Sequence, residues 1–167
     1  MSEVKGDGSK DGFALAKEAG ASGAVVMVVG GHERDLAHVP PEGAAVGFVV
    51  ADSEAGRYVL RHSTAHVLAQ AVLRLFPGTK YSIGPPIENG FYYDFDVERP
   101  FTPEDLDRIE AEMKKIIKEN QRFERREIKR DEGMQLFSEQ PYKLEIIEGV
   151  DLGDEDAEKS DAAAVGE

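Results

Sequence analysis

Cysteine is missing from all 167 residues. Disulfides, thiolate metal sites and a thiol nucleophile are excluded with it. Any metal would have to be held by His, Asp, Glu and water. Long apolar runs are missing too: none approaches the roughly 18 residues that a membrane span requires. Met1 to Lys10 is polar and Gly-rich and lacks the basic-then-apolar pattern of a secretory signal. A cytoplasmic location without a membrane partner is therefore expected. No internal repeat is visible.

Positive charge is also scarce. Twenty Lys and Arg face 33 Asp and Glu, for a formal net charge of -13. Such an average argues against tight, nonspecific binding of nucleic acid, DNA included. The charge is unevenly placed, however. Asp151 to Glu167 holds seven acids and one Lys, whereas Arg108 to Arg130 holds nine Lys or Arg against five acids. A solvated helix face is one reading of that basic stretch. A phosphate-binding surface around Arg122, Arg125, Arg126, Lys129 and Arg130 is the other.

What is present suits one compact domain or two small ones. Apolar residues make up 41% of the chain, enough for a core. Residues 1–12 are expected to be flexible. Phe13 to Ala19 suggests a short helix ended by Gly20, and Ala24 to Val29 a buried strand. Gly30-Gly31 turns the chain into a second strand from Arg34 to Val39, and Val46 to Val50 gives a third. Residues 13–52 therefore read as a small strand-rich module with one helix.

After a polar break at Ser53 to Gly56, a long helix is predicted from Arg57 to about Phe76, stopped by Pro77-Gly78. Its apolar stripe is Leu60, Ala65, Leu68, Ala71, Val72 and Leu75. Residues 81–97 read as two strands around a turn at Asn89-Gly90. There Phe91, Tyr93 and Phe95 alternate with Tyr92, Asp94 and Asp96, which predicts one aromatic face and one largely acidic face. Thr102, Pro103 and Asp105 spell a helix start with a capping box. Leu106, Ile109, Met113, Ile116 and Ile117 supply the buried stripe of that helix, which should end near Asn120. Arg122 to Lys129 reads as loop, Asp131 to Phe137 as a short helix, and Tyr142 to Ile147 as a strand. Residues 150–167 collapse to Asp, Glu, Ala and Gly, a composition that predicts disorder.

The strongest chemical feature is Arg61-His62-Ser63-Thr64-Ala65-His66. Four residues apart on a helix, His62 and His66 project from one face. Two imidazoles so placed can share a metal, hold a water or orient a polar substrate. They can equally be two half-exposed histidines. The pattern is not the zincin motif, because Ser63 stands where that motif has its glutamate. A metal-dependent hydrolase would need a further ligand, such as the carboxylate of Asp94. His32 and His38, in the first module, read as structural or incidental.

RHSTAHVLAQAV, then FPGTKYSIGPPIENGFYYDFD, then TPEDLDRIEAEMKKI resemble the start of the editing domain of threonyl-tRNA synthetases. The resemblance runs from about Tyr58 to Ile147. The histidine motif is shared with alanyl-tRNA synthetases, whereas GPPIENGFYYDFD favours the threonyl branch. The preceding module, with ERDLAHVP, resembles a TGS domain, a small ubiquitin-like β-grasp. The fold class implied is α+β: a β-grasp-like module over 13–52, then an incomplete α+β editing domain over 57–149, then an acidic tail over 150–167.

The resemblance implies hydrolytic proofreading of tRNA misacylated with serine, with tRNA as partner. His62 and His66 match the family's first editing-site pair. Gly84 and Tyr93 lie on segments that resemble the pocket lining: the bare backbone at Gly84 would admit substrate, and the Tyr93 ring would contact serine or the terminal adenosine. Arg122, Arg125, Arg126, Lys129 and Arg130 would hold the tRNA backbone. The family completes the site with a Cys-x-x-x-His segment, yet this chain has no cysteine and no histidine after His66. Zinc is possible in the complete family, and neither the ATP site nor the synthetic core is found here. The expectation is thus a truncated piece with little or no activity of its own, or a non-catalytic tRNA-binding module.

Overall fold

A computed structural model of the chain describes residues 4–122 and 126–149. They fall into two compact units divided between Arg61 and His62. Each mixes helices with small antiparallel sheets, so the class is α+β.

In the first unit the chain runs through β1 (Val4–Lys5), α1 (Gly12–Glu18), β2 (Ala24–Val29), β3 (His32–Arg34) and β4 (Ala45–Val50). The four strands form one sheet in the order β1-β4-β2-β3, every pair antiparallel. Val4 and Lys5, expected to be flexible, pair with Val46 and Ala45. An otherwise open edge of β4 captures them, a tertiary effect that polar flanking sequence does not reveal. The return strand after Gly30-Gly31 is shorter than expected and shifted toward the turn. It stops at Arg34, because Asp35 Oδ1 accepts from the Ala37 backbone N–H and turns the chain.

Helix α1 starts where Asp11 accepts a hydrogen bond from the Ala14 N–H at 2.9 Å. It lays Leu15 and Ala16 onto Met27, Leu36, Val46 and Phe48, the core of this unit. The continuous apolar run of β2 suggested burial throughout, but only Met27 is fully buried and the others are half-exposed.

Helix α2 (Glu54–Leu75) starts three residues earlier than predicted. Ser53 supplies the reason: its hydroxyl accepts from the Gly56 N–H at 3.0 Å, as an N-cap does. In the second unit follow β5 (Lys80–Tyr81), β6 (Pro86–Ile87), β7 (Gly90–Phe91), β8 (Phe95–Asp96), α3 (Pro103–Glu119), α4 (Arg130–Leu136) and α5 (Pro141–Glu148). The two strands expected over 81–97 are thus four short ones, β5 pairing with β8 and β6 with β7. The hairpin turn lies at Glu88-Asn89, one residue before the expected Asn89-Gly90, since Ile87 pairs with Gly90.

The core of this unit is Ala71 and Val72 of α2 against Ile109 and Ile116 of α3, with Leu68, Phe76, Phe95 and Phe101 packed around them. Arg74 clamps the same two helices through two 2.9 Å hydrogen bonds to the Glu119 carboxylate. The stripes drawn from periodicity were too wide. Leu60, Leu106 and Ile117 are exposed. At about 100° per residue, Leu106 and Ile117 stand roughly 60–80° around the helix from Ile109, off the contact face.

Residues 142–147, read as a strand, are helical in α5. Pro141 sits at the first helical position and Gly149 ends the helix at φ 79°. That bracket decides against the period-two alternation of Tyr142, Leu144 and Ile146. The acidic tail and Arg125 lie outside the described residues.

Candidate functional site

Helical geometry brings His62 and His66 together: their ring centroids are 4.7 Å apart with the planes tilted by 37°. Both side chains are half-buried, and His66 Nδ1 is shielded from solvent. Burial disfavours the imidazolium of His66, and the charges of His62 and Lys143 disfavour it further. Its pKa falls to about 4, so the ring is neutral near pH 7.

Lys143 is the residue that the pattern of the sequence did not flag. Its side chain is only 8% exposed, far less than is usual for lysine. Desolvation lowers its pKa to about 8, which leaves it mostly charged at neutral pH. The ammonium stands 5.3 Å from the centroid of the buried Tyr81 ring and is close enough to act on His66. The strand reading of 142–147 hid this lysine. On a helix bracketed by Pro141 and Gly149, Lys143 shares a face with Ile146 and Ile147.

Gly84 and Tyr93 are also brought together, though differently from expectation. A Cβ at Gly84 would lie 2.1 Å from the Tyr93 ring. The ring therefore fills the space that the bare backbone was expected to leave for a substrate. Tyr93 stacks on Phe95 at 4.9 Å and stands 6.3 Å from Tyr81. Burial pushes the Tyr93 hydroxyl well above the usual phenol range, so it stays protonated. His66, Lys143, Tyr81, Tyr93 and Gly84 thus form a connected series. Hydrogen bonds from Gln140 tie α5 to it: its side chain donates to the Thr79 carbonyl and accepts from the Tyr81 N–H.

Among the described residues no group of three His, Asp or Glu side chains converges. Asp94 does not join the histidines in such a group. Since a zinc site takes three or four protein ligands, the pair alone does not fit one. His32 and His38 are both exposed. Arg122, Arg126, Lys129 and Arg130 are exposed as well, the first three in loop and Arg130 at the start of α4. A cleft lined by Phe76, Thr79, Asp96, Arg99 and Phe101, among others, contains none of the candidate residues.

The chain is 54% identical to the threonine–tRNA ligase of Thermobifida fusca over 133 residues, covering 80% of this chain and 20% of that protein. It is 57% identical to that of Corynebacterium efficiens over 137 residues, 81% of this chain and 20% of that protein. Its relatives are threonine–tRNA ligases. To the threonine–tRNA ligase of Fusobacterium nucleatum it is 49% identical over 130 residues, 76% of this chain and 21% of that protein. It spans about a fifth of the length of these curated threonine–tRNA ligases. No family model matches the chain. Among the described residues no helix is long and apolar enough to cross a membrane.

Proposed function

We propose that this chain carries one half of a hydrolytic proofreading site for tRNA mischarged with serine, and that alone it deacylates little. The observation that carries this reading is the paired, half-buried His62 and His66 with Lys143 beside them. The chemical need is plain. A synthetic pocket for threonine cannot strongly reject serine, because one methyl group is worth only about 1–3 kcal/mol. A second, hydrolytic site removes the error.

In this reading the neutral His66 and its neighbour His62 hold the attacking water and the ribose end of the tRNA. The Lys143 ammonium supplies positive charge where negative charge develops on the ester carbonyl oxygen. Water adds to the carbonyl carbon, the ester C–O bond breaks, and the ribose hydroxyl leaves with a proton. Tyr93 and Gly84 form the wall behind these groups. The catalytic geometry needs further groups held in place, and the Cys-x-x-x-His segment expected from the family is not in this sequence. The first unit is read as a TGS-like module, and the setting is the cytoplasm.

The test is deacylation of Ser-tRNA by the purified chain, beside a longer relative that includes the Cys-x-x-x-His segment. The chain is expected to be slower by at least about 100-fold, the size of effect that incomplete positioning produces. Within the longer relative, replacing the residue equivalent to His66 or Lys143 with Ala should abolish most of the activity. Comparable rates for the two proteins would overturn the half-site. Full activity of the substituted relatives would overturn the assignment of these residues. A second reading is a tRNA-binding module without catalysis, favoured by the exposed Arg122, Arg126, Lys129 and Arg130.

A further inference from the structure

We infer that the outer face of α3 is a contact surface for a second copy of this chain, the two helices pairing antiparallel about a two-fold axis near residue 112. This pairing is independent of the proofreading and tRNA readings above.

Two features of α3 lead here. The first is an apolar stripe. Leu106 is 57% exposed and Ile117 is 62% exposed. At about 100° per residue, Leu106, Met113 and Ile117 fall within about 40° of one another. Their stripe runs beside the buried line of Ile109 and Ile116, and Met113 is half-buried against that core. The second feature is charge. On the side of the stripe away from the core stand Asp107, Glu110, Lys114 and Lys118, all exposed. The acids lie in the N-terminal half of the helix and the lysines in the C-terminal half. Glu110 bonds along its own helix to Lys114, while Asp107 and Lys118 make no ion pair among the described residues. The opposite flank of α3 is already taken, because Arg74 of α2 pairs with Glu112 and Glu119.

A second copy fits this pattern in one orientation. Laid antiparallel, Leu106 meets Ile117 of the second copy, Asp107 meets Lys118, and Glu110 meets Lys114. The midpoints of these three pairs all fall within a residue of position 112, so one two-fold axis serves them all. A parallel pairing would set acids on acids and lysines on lysines. The helix is only about 25 Å long. Its contact therefore belongs with small, transient interfaces, and a Kd on the order of 100 µM is expected.

Sedimentation equilibrium of the purified chain reads the association directly. At about 150 mM salt the net charge of -13 is screened beyond about 8 Å. The mean mass should rise from that of a monomer at about 5 µM toward that of a dimer at about 500 µM. Leu106→Gln with Ile117→Gln should weaken association at least about 10-fold. Lys114→Glu with Lys118→Glu makes the flank wholly acidic, and Asp107→Lys with Glu110→Lys makes it wholly basic. Each of these two variants alone should stay monomeric. Their equimolar mixture should dimerise at least as well as the parent chain, a recovery that also shows both to be folded. Because the chain lacks cysteine, orientation can be read by crosslinking. Leu106→Cys and Ile117→Cys proteins, mixed and oxidised, should give the mixed disulfide at least about fivefold over either symmetric one, since only close cysteines are bridged.

A monomer at every concentration overturns the pairing and leaves the stripe to a different partner. Dimers that persist in both charge variants, or that fail to return in their mixture, overturn the assignment of this face. A predominance of symmetric disulfides overturns the antiparallel orientation.

Discussion

Burial acts on the ionised form of a side chain, and His66 shows its sign. The folded ring has a pKa of about 4, against 6.5 for the free side chain. Between those values the unfolded chain binds the proton and the folded chain does not, so stability must rise with pH over that window. The full effect is on the order of 3 kcal/mol, present above about pH 6.5 and lost by about pH 4. Urea unfolding from pH 4 to 7 measures it, and NMR titration of the ring gives the pKa directly. His66→Gln should flatten the profile over this window. A ring that titrates near 6.5 would mean that His66 is open to solvent. The histidine pair itself was legible in the sequence, because i,i+4 spacing on a helix fixes which rings meet. Lys143 was not, since its burial comes from packing of α5 against β5, residues remote in sequence.

Helix ends were legible when their signals were local. Thr102 and Asp105 form the capping box that the sequence spells, with Thr102 N donating to Asp105 Oδ2 at 3.0 Å and Asp105 N donating to Thr102 Oγ1 at 3.3 Å. Asn120 ends the same helix in the left-handed region at φ 50°. Thr102→Ala should cost about 1 kcal/mol, the usual worth of an N-cap, read from the urea midpoint. Thr102→Ser should recover most of it, because the hydroxyl is what accepts the bond. Equal losses for the two would place the role in the methyl group instead. The Asp105 carboxylate is buried and also bonded to Arg99 at 2.6 Å. Arg99 and the Thr102 N–H hold its pKa well below the usual range, so this contribution survives mild acid. Elements whose signals conflict were misread. The chain from Tyr142 to Ile147 alternates like a strand, yet its flanking Pro141 and Gly149 belong to a helix. The pairing of Val4 and Lys5 depends on a strand some forty residues away, which local composition cannot disclose.

A molecule with a formal net charge of -13 repels RNA at long range, so any binding must come from local contacts. At physiological salt the Debye length is about 8 Å, and a polyanion close to Arg122, Arg126, Lys129 and Arg130 feels those cations more than the distant acids. The α+β class and the basic stretch were legible from patterning and charge count. The meeting of that stretch with the end of α5 was not, because it depends on how α4 and α5 pack around Gly133. If all four cations meet phosphates, log Kd for tRNA should vary with log salt with a slope of magnitude about 3–4. Arg126→Gln with Arg130→Gln removes two contacts and should reduce the slope by about 1.5–2 without changing helix content. Circular dichroism checks the second condition. A slope below about 1, or one that the double substitution leaves unchanged, would show that tRNA does not use this strip. The affinity of a chain so acidic would then have to come from elsewhere on its surface.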